Sequence, residues 1–186
     1  MSVVKILAIS GSLRKASFNT AALRAAAELA PEGVEVTLYD SLRAIPPYDD
    51  DVRIGEGYPA PVKAFRAAIK AADALLIANP EYNYSVSGVL KNAIDWASRP
   101  PEQPFDGKPV AILGATSGVL GTARAQYELR KILGALNAHL LNKPEVMIAG
   151  AATRFDASGK LTDEMSRGLV TQQLVALRDW TLRLRG

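Results

Sequence analysis

The first residues able to do chemistry are consecutive: Ser10-Gly11-Ser12-Leu13-Arg14-Lys15-Ala16-Ser17-Phe18-Asn19-Thr20. They follow a β-branched apolar run, Val3–Ile9, and precede an Ala- and Leu-rich stretch, so they read as a strand-to-helix turn. The first N–H groups of such a helix lack intrahelical partners and carry partial positive charge, which suits an anion. Ser12, Ser17 and Thr20 add hydroxyls, Asn19 adds an amide, and Arg14 adds a permanent guanidinium that can hold a phosphate through two parallel bonds. The glycine spacing fits neither a dinucleotide fingerprint nor a P-loop. This many hydroxyls point to a terminal monophosphate rather than a buried pyrophosphate. Any one of them alone would read as a helix cap.

Two more loops carry complementary groups. Asn79-Pro80-Glu81-Tyr82-Asn83-Tyr84-Ser85-Val86-Ser87-Gly88 sets two tyrosines and two asparagines after a buried apolar run. Such a polar-aromatic rim suits a planar heteroaromatic ring, with backbone N–H groups meeting its edge. Ala115-Thr116-Ser117-Gly118-Val119-Leu120-Gly121-Thr122 is small and glycine-rich, so its backbone can approach a flat ring closely and donate to a pyrimidine-like edge.

What the chain lacks narrows the chemistry further. It has no cysteine and one histidine, His139, which removes thiolate nucleophiles, Cys-ligated metals and His-rich sites. The reactive atom is therefore expected on a borrowed cofactor rather than on a side chain. His139 itself reads as a packed or surface residue. Asp49-Asp50-Asp51 is the one dense acidic run, and in a turn-rich loop it reads as solvated rather than metal-binding. A net charge of +3 is too mild to indicate nucleic acid, yet has the right sign for a phosphorylated small molecule. No apolar run approaches the ~18 residues of a membrane span, and the amino-terminal stretch does not read as a signal peptide. The expected location is cytoplasmic.

These loops need a frame to bring them together. Short apolar runs at Val3–Ile9, Val34–Tyr39, Ala74–Ala78, Val110–Gly114 and Val146–Ala149, the last with His139–Leu141, alternate with helical patterns at Phe18–Ala30, Pro59–Ala71, Gly88–Ser98, Gly121–Asn137 and Thr162–Leu184. Ser41–Tyr58 reads as a Pro-, Asp- and Gly-rich connection. Strand–helix alternation with almost continuously apolar strands predicts a parallel sheet covered on both faces. The expected fold is a single α/β domain over residues 1–186, a three-layer flavodoxin-like fold whose five-stranded parallel sheet has order 2-1-3-4-5 with helices on both faces. Ligands in such sheets bind beyond the carboxyl ends of strands, where the order reverses.

Gly11–Asn19, Pro80–Pro100 and Thr116–Arg130 together resemble the NADPH-dependent FMN reductases of flavodoxin-like fold, close to the chromate and quinone reductase group. The resemblance implies bound FMN and NADPH or NADH as reductant. It also implies ping-pong transfer to a small acceptor such as a quinone, chromate, an azo compound or free flavin. It places Ser12, Arg14, Ser17 and Asn19 around the FMN phosphate, with Phe18 and Thr20 in the same turn. Glu81, Tyr82, Asn83 and Tyr84, after Pro80, would line the isoalloxazine. Thr116, Ser117 and Gly118 would meet its pyrimidine side. No residue is assigned as a catalytic acid or base. A homodimer or homotetramer is implied, with Arg124, Tyr127 and Glu145 as polar contacts between subunits. The chain departs from the family pattern at Asn79, Ser87 and Thr122, positions expected at the flavin rim and mouth. A non-enzymatic electron carrier of flavodoxin type is the alternative; such carriers are strongly acidic, and this chain is not.

Overall fold

Each central strand is apolar on both sides, and the reason is visible in the packing. The computed structural model describes residues 3–185; Met1, Ser2 and Gly186, at the ends of the expected domain, lie outside them. In chain order the elements are β1 (Val4–Ser10), α1 (Phe18–Glu28), β2 (Val34–Leu38), α2 (Asp50–Gly55), α3 (Ala60–Ala71), β3 (Ala74–Ala78), β4 (Glu81–Tyr82) and β5 (Ser85–Val86). There follow α4 (Gly88–Ala97), β6 (Pro109–Ala115), α5 (Ala123–Ala135), β7 (His139–Leu140), β8 (Val146–Ile148) and α6 (Glu164–Leu184). Alternate side chains of the strands enter two cores. Ile6, Ala8, Leu76 and Leu113 meet α1 and α6, whereas Leu7, Ile9, Leu75, Ile77 and Ile112 meet α3, α4 and α5. Four buried alanines of α1, Ala21, Ala22, Ala25 and Ala26, let that helix approach the sheet closely.

The sheet runs β2-β1-β3-β6, and its last position is shared by β7 and β8, all paired in parallel. This is the expected 2-1-3-4-5 order with its fifth strand split in two. β7 pairs with the start of β6 (Pro109 opposite His139), and β8 with its end (Ala115 opposite Ile148). His139 therefore belongs to an edge strand, partly buried and remote from the loops of interest. Register does the positioning. Ser10 lies opposite Ala78, and Ala78 opposite Leu113, so the loops after β1, β3 and β6 emerge side by side at one edge.

The segment expected to be mere connection, Ser41–Tyr58, contains the short helix α2. The acidic run explains it. Asp49 caps α2 by accepting from Asp51 N–H at 2.9 Å, Asp50 and Asp51 favour its positive end, and Asp50 pairs with Arg53 and accepts from the Tyr48 hydroxyl. Helix periodicity missed α2 because it is under two turns long and buries no residue.

Gly114 of β6 is forced to be glycine by the loop above it. A Cβ there would overlap the Thr122 hydroxyl and stand 3.0 Å from the Asn79 carbonyl oxygen. Thr122 is itself left-handed at φ 70°, costly for a β-branched residue. Its hydroxyl accepts from Gln126 Nε2 at 3.2 Å, and the same nitrogen bonds the Val146 carbonyl at 3.0 Å. Gly114→Ala is expected to destabilise the fold by about 1–3 kcal/mol, the usual cost of overpacking. Chemical denaturation checks this, and an unchanged midpoint would show that Thr122 moves aside freely.

Candidate functional site

The first loop is built by its own hydroxyls. Ser17, almost fully buried, caps α1 by accepting from Thr20 N–H at 3.3 Å. Ser12 Oγ accepts from Arg14 N–H at 3.4 Å, and the Ser10 and Thr20 hydroxyls meet at 2.8 Å. No acidic residue stands in the first turn of α1, so the positive end of that helix is not neutralised from within. Arg14 is exposed at the mouth, where one guanidinium nitrogen bonds the Ala16 carbonyl at 3.3 Å.

Asn19, which lines the same loop, also ties that loop to the neighbouring strand. Its Nδ2 donates to the Ala115 carbonyl at 2.9 Å, and its Oδ1 accepts from the Ala115 N–H at 3.0 Å. One buried amide thus pairs with one peptide group across the sheet edge and locks the start of α1 to the end of β6. Gly11 permits the neighbouring contact. A Cβ there would press within 3.0 Å of both Pro80 and Ser87, whose Oγ donates to the Gly11 carbonyl at 2.7 Å.

The second loop is a two-stranded hairpin, β4 with β5, rather than the open loop expected from sequence. Asn83 and Tyr84 form its turn, both left-handed at φ 50° and 68°. Hairpins favour that backbone with glycine second, and a tyrosine there stores strain. Arg124 holds it, with its guanidinium carbon 3.6 Å from the Tyr84 ring centroid. The same guanidinium donates to Glu81 Oε1 at 2.7 Å, while Glu81 Oε2 accepts from Ala125 N–H at 3.2 Å. Glu81 therefore supplies the cap that α5 otherwise lacks, since Thr122 makes no side-chain capping bond. Its carboxylate is only 11% exposed and turns toward α5.

These loops enclose a cavity of about 150 Å³. Ser12, Arg14, Ser17, Phe18 and Asn19 line one side, Pro80, Glu81 and Tyr82 another, and Ala115, Thr116 and Ser117 the third. Ten of the fourteen residues singled out from sequence are thus brought together; Thr20, Asn83, Tyr84 and Gly118 lie off the cavity wall. Thr20 faces a neighbouring cavity, and Asn83 and Tyr84 form the exposed hairpin tip. Gly118 N–H bonds Thr116 Oγ1 at 3.3 Å, and its carbonyl accepts from Gly150, which ties the third loop to the segment after β8.

The three departures from the family pattern are not rim residues. Asn79, Ser87 and Thr122 are each fully buried beneath the loops, where Asn79 Nδ2 donates to the Ala125 carbonyl at 3.1 Å. They tie loops to one another, so their types bear on loop position rather than on contact with a substrate. Sequence reasoning put Ala115 in the third loop without giving it a role of its own and reserved Arg124 for a subunit contact. No spacing pattern marks Glu81 and Arg124 as partners, because they meet only through the fold.

Breaking this tie should cost stability. Glu81→Ala is expected to lose about 1–2 kcal/mol, counting charge-assisted bonds that are partly screened by water. That is roughly 2–8 °C in Tm. Glu81→Gln, which keeps an acceptor for Ala125, should fall between. Thermal unfolding tests both, and a wild-type Tm in the alanine variant would contradict the capping role.

The description NADPH-dependent FMN reductase belongs to the family whose sequence model matches residues 4–153. An NAD(P)H-dependent FMN reductase of Pseudomonas aeruginosa is 60% identical over 183 residues, covering 98% of both chains. A quinone reductase of Escherichia coli is 44% identical over 98% of this chain and 97% of its own. Among solved structures, the flavoenzyme NAD(P)H:(acceptor) oxidoreductase FerB of Paracoccus denitrificans superimposes with a TM-score of 0.87 at 35% identity, covering 97% of this chain and 98% of that one. The loop motifs, the sheet order and these similarities agree, and the chain belongs to the NADPH-dependent FMN reductase family.

Proposed function

We propose that this protein is an FMN-dependent oxidoreductase that carries reducing equivalents from NAD(P)H to small acceptors, quinones foremost and chromate, azo compounds or free flavin besides. The observation that carries this reading is the single cavity ringed by the loops after β1, β3 and β6, with the unneutralised start of α1 and Arg14 at one end. FMN presents a phosphate, a flat apolar ring and a polar pyrimidine edge, and the donor set fits each part. Ser12, Arg14, Ser17 and the free N–H groups at the start of α1 would hold the phosphate, with Phe18 beside them. Pro80, Glu81 and Tyr82 would flank the ring, and Thr116 and Ser117 its pyrimidine edge. Asn19, Thr20, Asn83, Tyr84 and Gly118 would act by fixing those neighbours. Bound there, FMN supplies the hydride-accepting and electron-donating chemistry that no side chain of this protein provides.

The residues of the chain bind, orient and bias. Arg14 and the helix start favour negative charge in the cavity. Glu81, its carboxylate occupied by Arg124 and Ala125, is not placed to deliver a proton, and solvent at the open mouth suffices for a quinone. Donor and acceptor enter by the same mouth and must therefore alternate. Tyr82 and Tyr84 of the hairpin, Val119 and Leu120 of the third loop and Tyr127 of α5 are exposed, and would suit cover by a second copy of the chain in a homodimer or homotetramer. Arg124, Tyr127 and Glu145 would then lie near that contact. Among the described residues no helix is long and apolar enough to cross a membrane, and a cytoplasmic location is part of this reading. The electron-carrier alternative requires a protein partner, which the net charge of +3 does not favour.

The purified protein is expected to be yellow and to release FMN on heating. It should oxidise NADPH steadily with a quinone and no partner protein. Double-reciprocal plots should be parallel, and intersecting lines would overturn alternation at one mouth. Arg14→Ala should weaken FMN binding by about 1.5–3 kcal/mol, the value of a hydrogen bond to a charged group. Fluorescence titration of the stripped protein measures this, and an unchanged Kd would remove Arg14 from the phosphate site.

A further inference from the structure

Two charged side chains line the flavin cavity, and they have opposite signs: Arg14 and Glu81. Glu81 is the one carboxylate of that wall. Its side chain is only 11% exposed, so water and salt screen it little. Left alone, this fixed negative charge would oppose any negative charge that developed in the cavity.

Arg124, the second residue of α5, answers it. Its Nε donates to Glu81 Oε1 at 2.7 Å, and neither residue forms another ion pair among the described residues. Arg124 does not line the cavity itself, so it acts there through Glu81. The pair is held from both sides. Ala125 N–H donates to Glu81 Oε2 at 3.2 Å, and the carboxylate cannot swing away without stranding a donor at the start of α5. The Tyr84 ring lies on the guanidinium, 3.6 Å from centroid to carbon, and reaches it from left-handed backbone at φ 68°. Glycine would fill that turn position without strain. Strain of this kind persists where the surroundings over-determine it and gathers at functional sites. Here it secures a cation against the carboxylate of the cavity wall.

We propose that Arg124 is a positioning residue that sets the charge of this wall. By neutralising Glu81 it lets the cavity hold reduced FMN, whose ionised ring carries one more negative charge than the oxidised ring, and so raises the reduction potential of the bound flavin. The inference rests on the oxidoreductase reading and deepens it. Removing the cation and keeping the carboxylate repels the reduced form, and the potential falls. Removing the carboxylate and keeping the cation attracts it, and the potential rises. Removing both offsets the two effects. A tie that was structural alone would lower stability in all three cases without this alternation of sign.

The test uses the FMN-loaded protein and its Arg124→Gln, Arg124→Lys, Glu81→Gln and Glu81→Gln/Arg124→Gln variants. The potential of the bound flavin is read from absorbance against a dye of known potential, in mildly alkaline buffer where the reduced ring is ionised. Arg124→Gln is expected to weaken reduced FMN relative to oxidised FMN by at least about threefold, a fall of about 14 mV for a two-electron couple. Glu81→Gln should shift the ratio as far in the opposite direction. Arg124→Lys, which keeps the charge, and the double variant should stay within about twofold of wild type. A smaller fall in Arg124→Gln would overturn the inference while leaving the oxidoreductase reading intact. So would a fall in Glu81→Gln, or an Arg124→Lys value as low as that of Arg124→Gln. Should Arg124→Gln not fold, the rise in Glu81→Gln and its reversal in the double variant decide by the same limits. Wild-type protein that retains no FMN would overturn the functional reading and this inference together.

Discussion

The two-bond exchange between the Asn19 amide and the Ala115 peptide carries more of this structure than its size suggests. It is buried, it spans 96 residues of sequence, and both partners are satisfied at 2.9–3.0 Å. Breaking it would strand a donor and an acceptor away from water, which costs more than an ordinary hydrogen bond returns. The start of α1 is therefore fixed against the end of β6, and the positive end of that helix faces the cavity instead of bulk solvent. Parallel register brings the loop after β3 in between. Everything proposed about anion binding follows from that fixed orientation.

Strain gathers in the loops that surround the cavity. Asn83, Tyr84 and Thr122 all adopt left-handed backbone without being glycine. Asparagine tolerates that backbone, whereas the other two are held by neighbours: Arg124 lies on Tyr84, and Gln126 holds Thr122. Glu81 joins the two regions by bonding both Arg124 and the first turn of α5. A hairpin and a helix start that would each be marginal alone thus become one rigid wall, with the exposed tyrosines beside it.

Much of this could be read from the chain itself. Runs such as Ala74–Ala78 declare a strand buried on both faces, and the turn after Val3–Ile9 declares a strand-to-helix junction, because local spacing suffices for both. What escaped reading depends on contacts between distant residues. That Asn19 also pairs with the Ala115 peptide has no local signal. Asn79, Ser87 and Thr122 look like rim residues until their burial is seen. Helix α2 is too short and too exposed to leave a periodic trace, and the fifth strand divides because β7 and β8 pair with opposite ends of β6. The fold was legible, as was the convergence of three loops at one sheet edge, whereas the buried ties between those loops were not.

The most direct measurement compares FMN with riboflavin, which shares the ring and ribityl chain but lacks the phosphate. If the start of α1 and Arg14 form a phosphate site, at least two charge-assisted bonds are lost with riboflavin. Its Kd for the stripped protein should then be at least about a hundredfold weaker, at 1.5–3 kcal/mol for each bond. Equal affinity for the two flavins would contradict the account at its root.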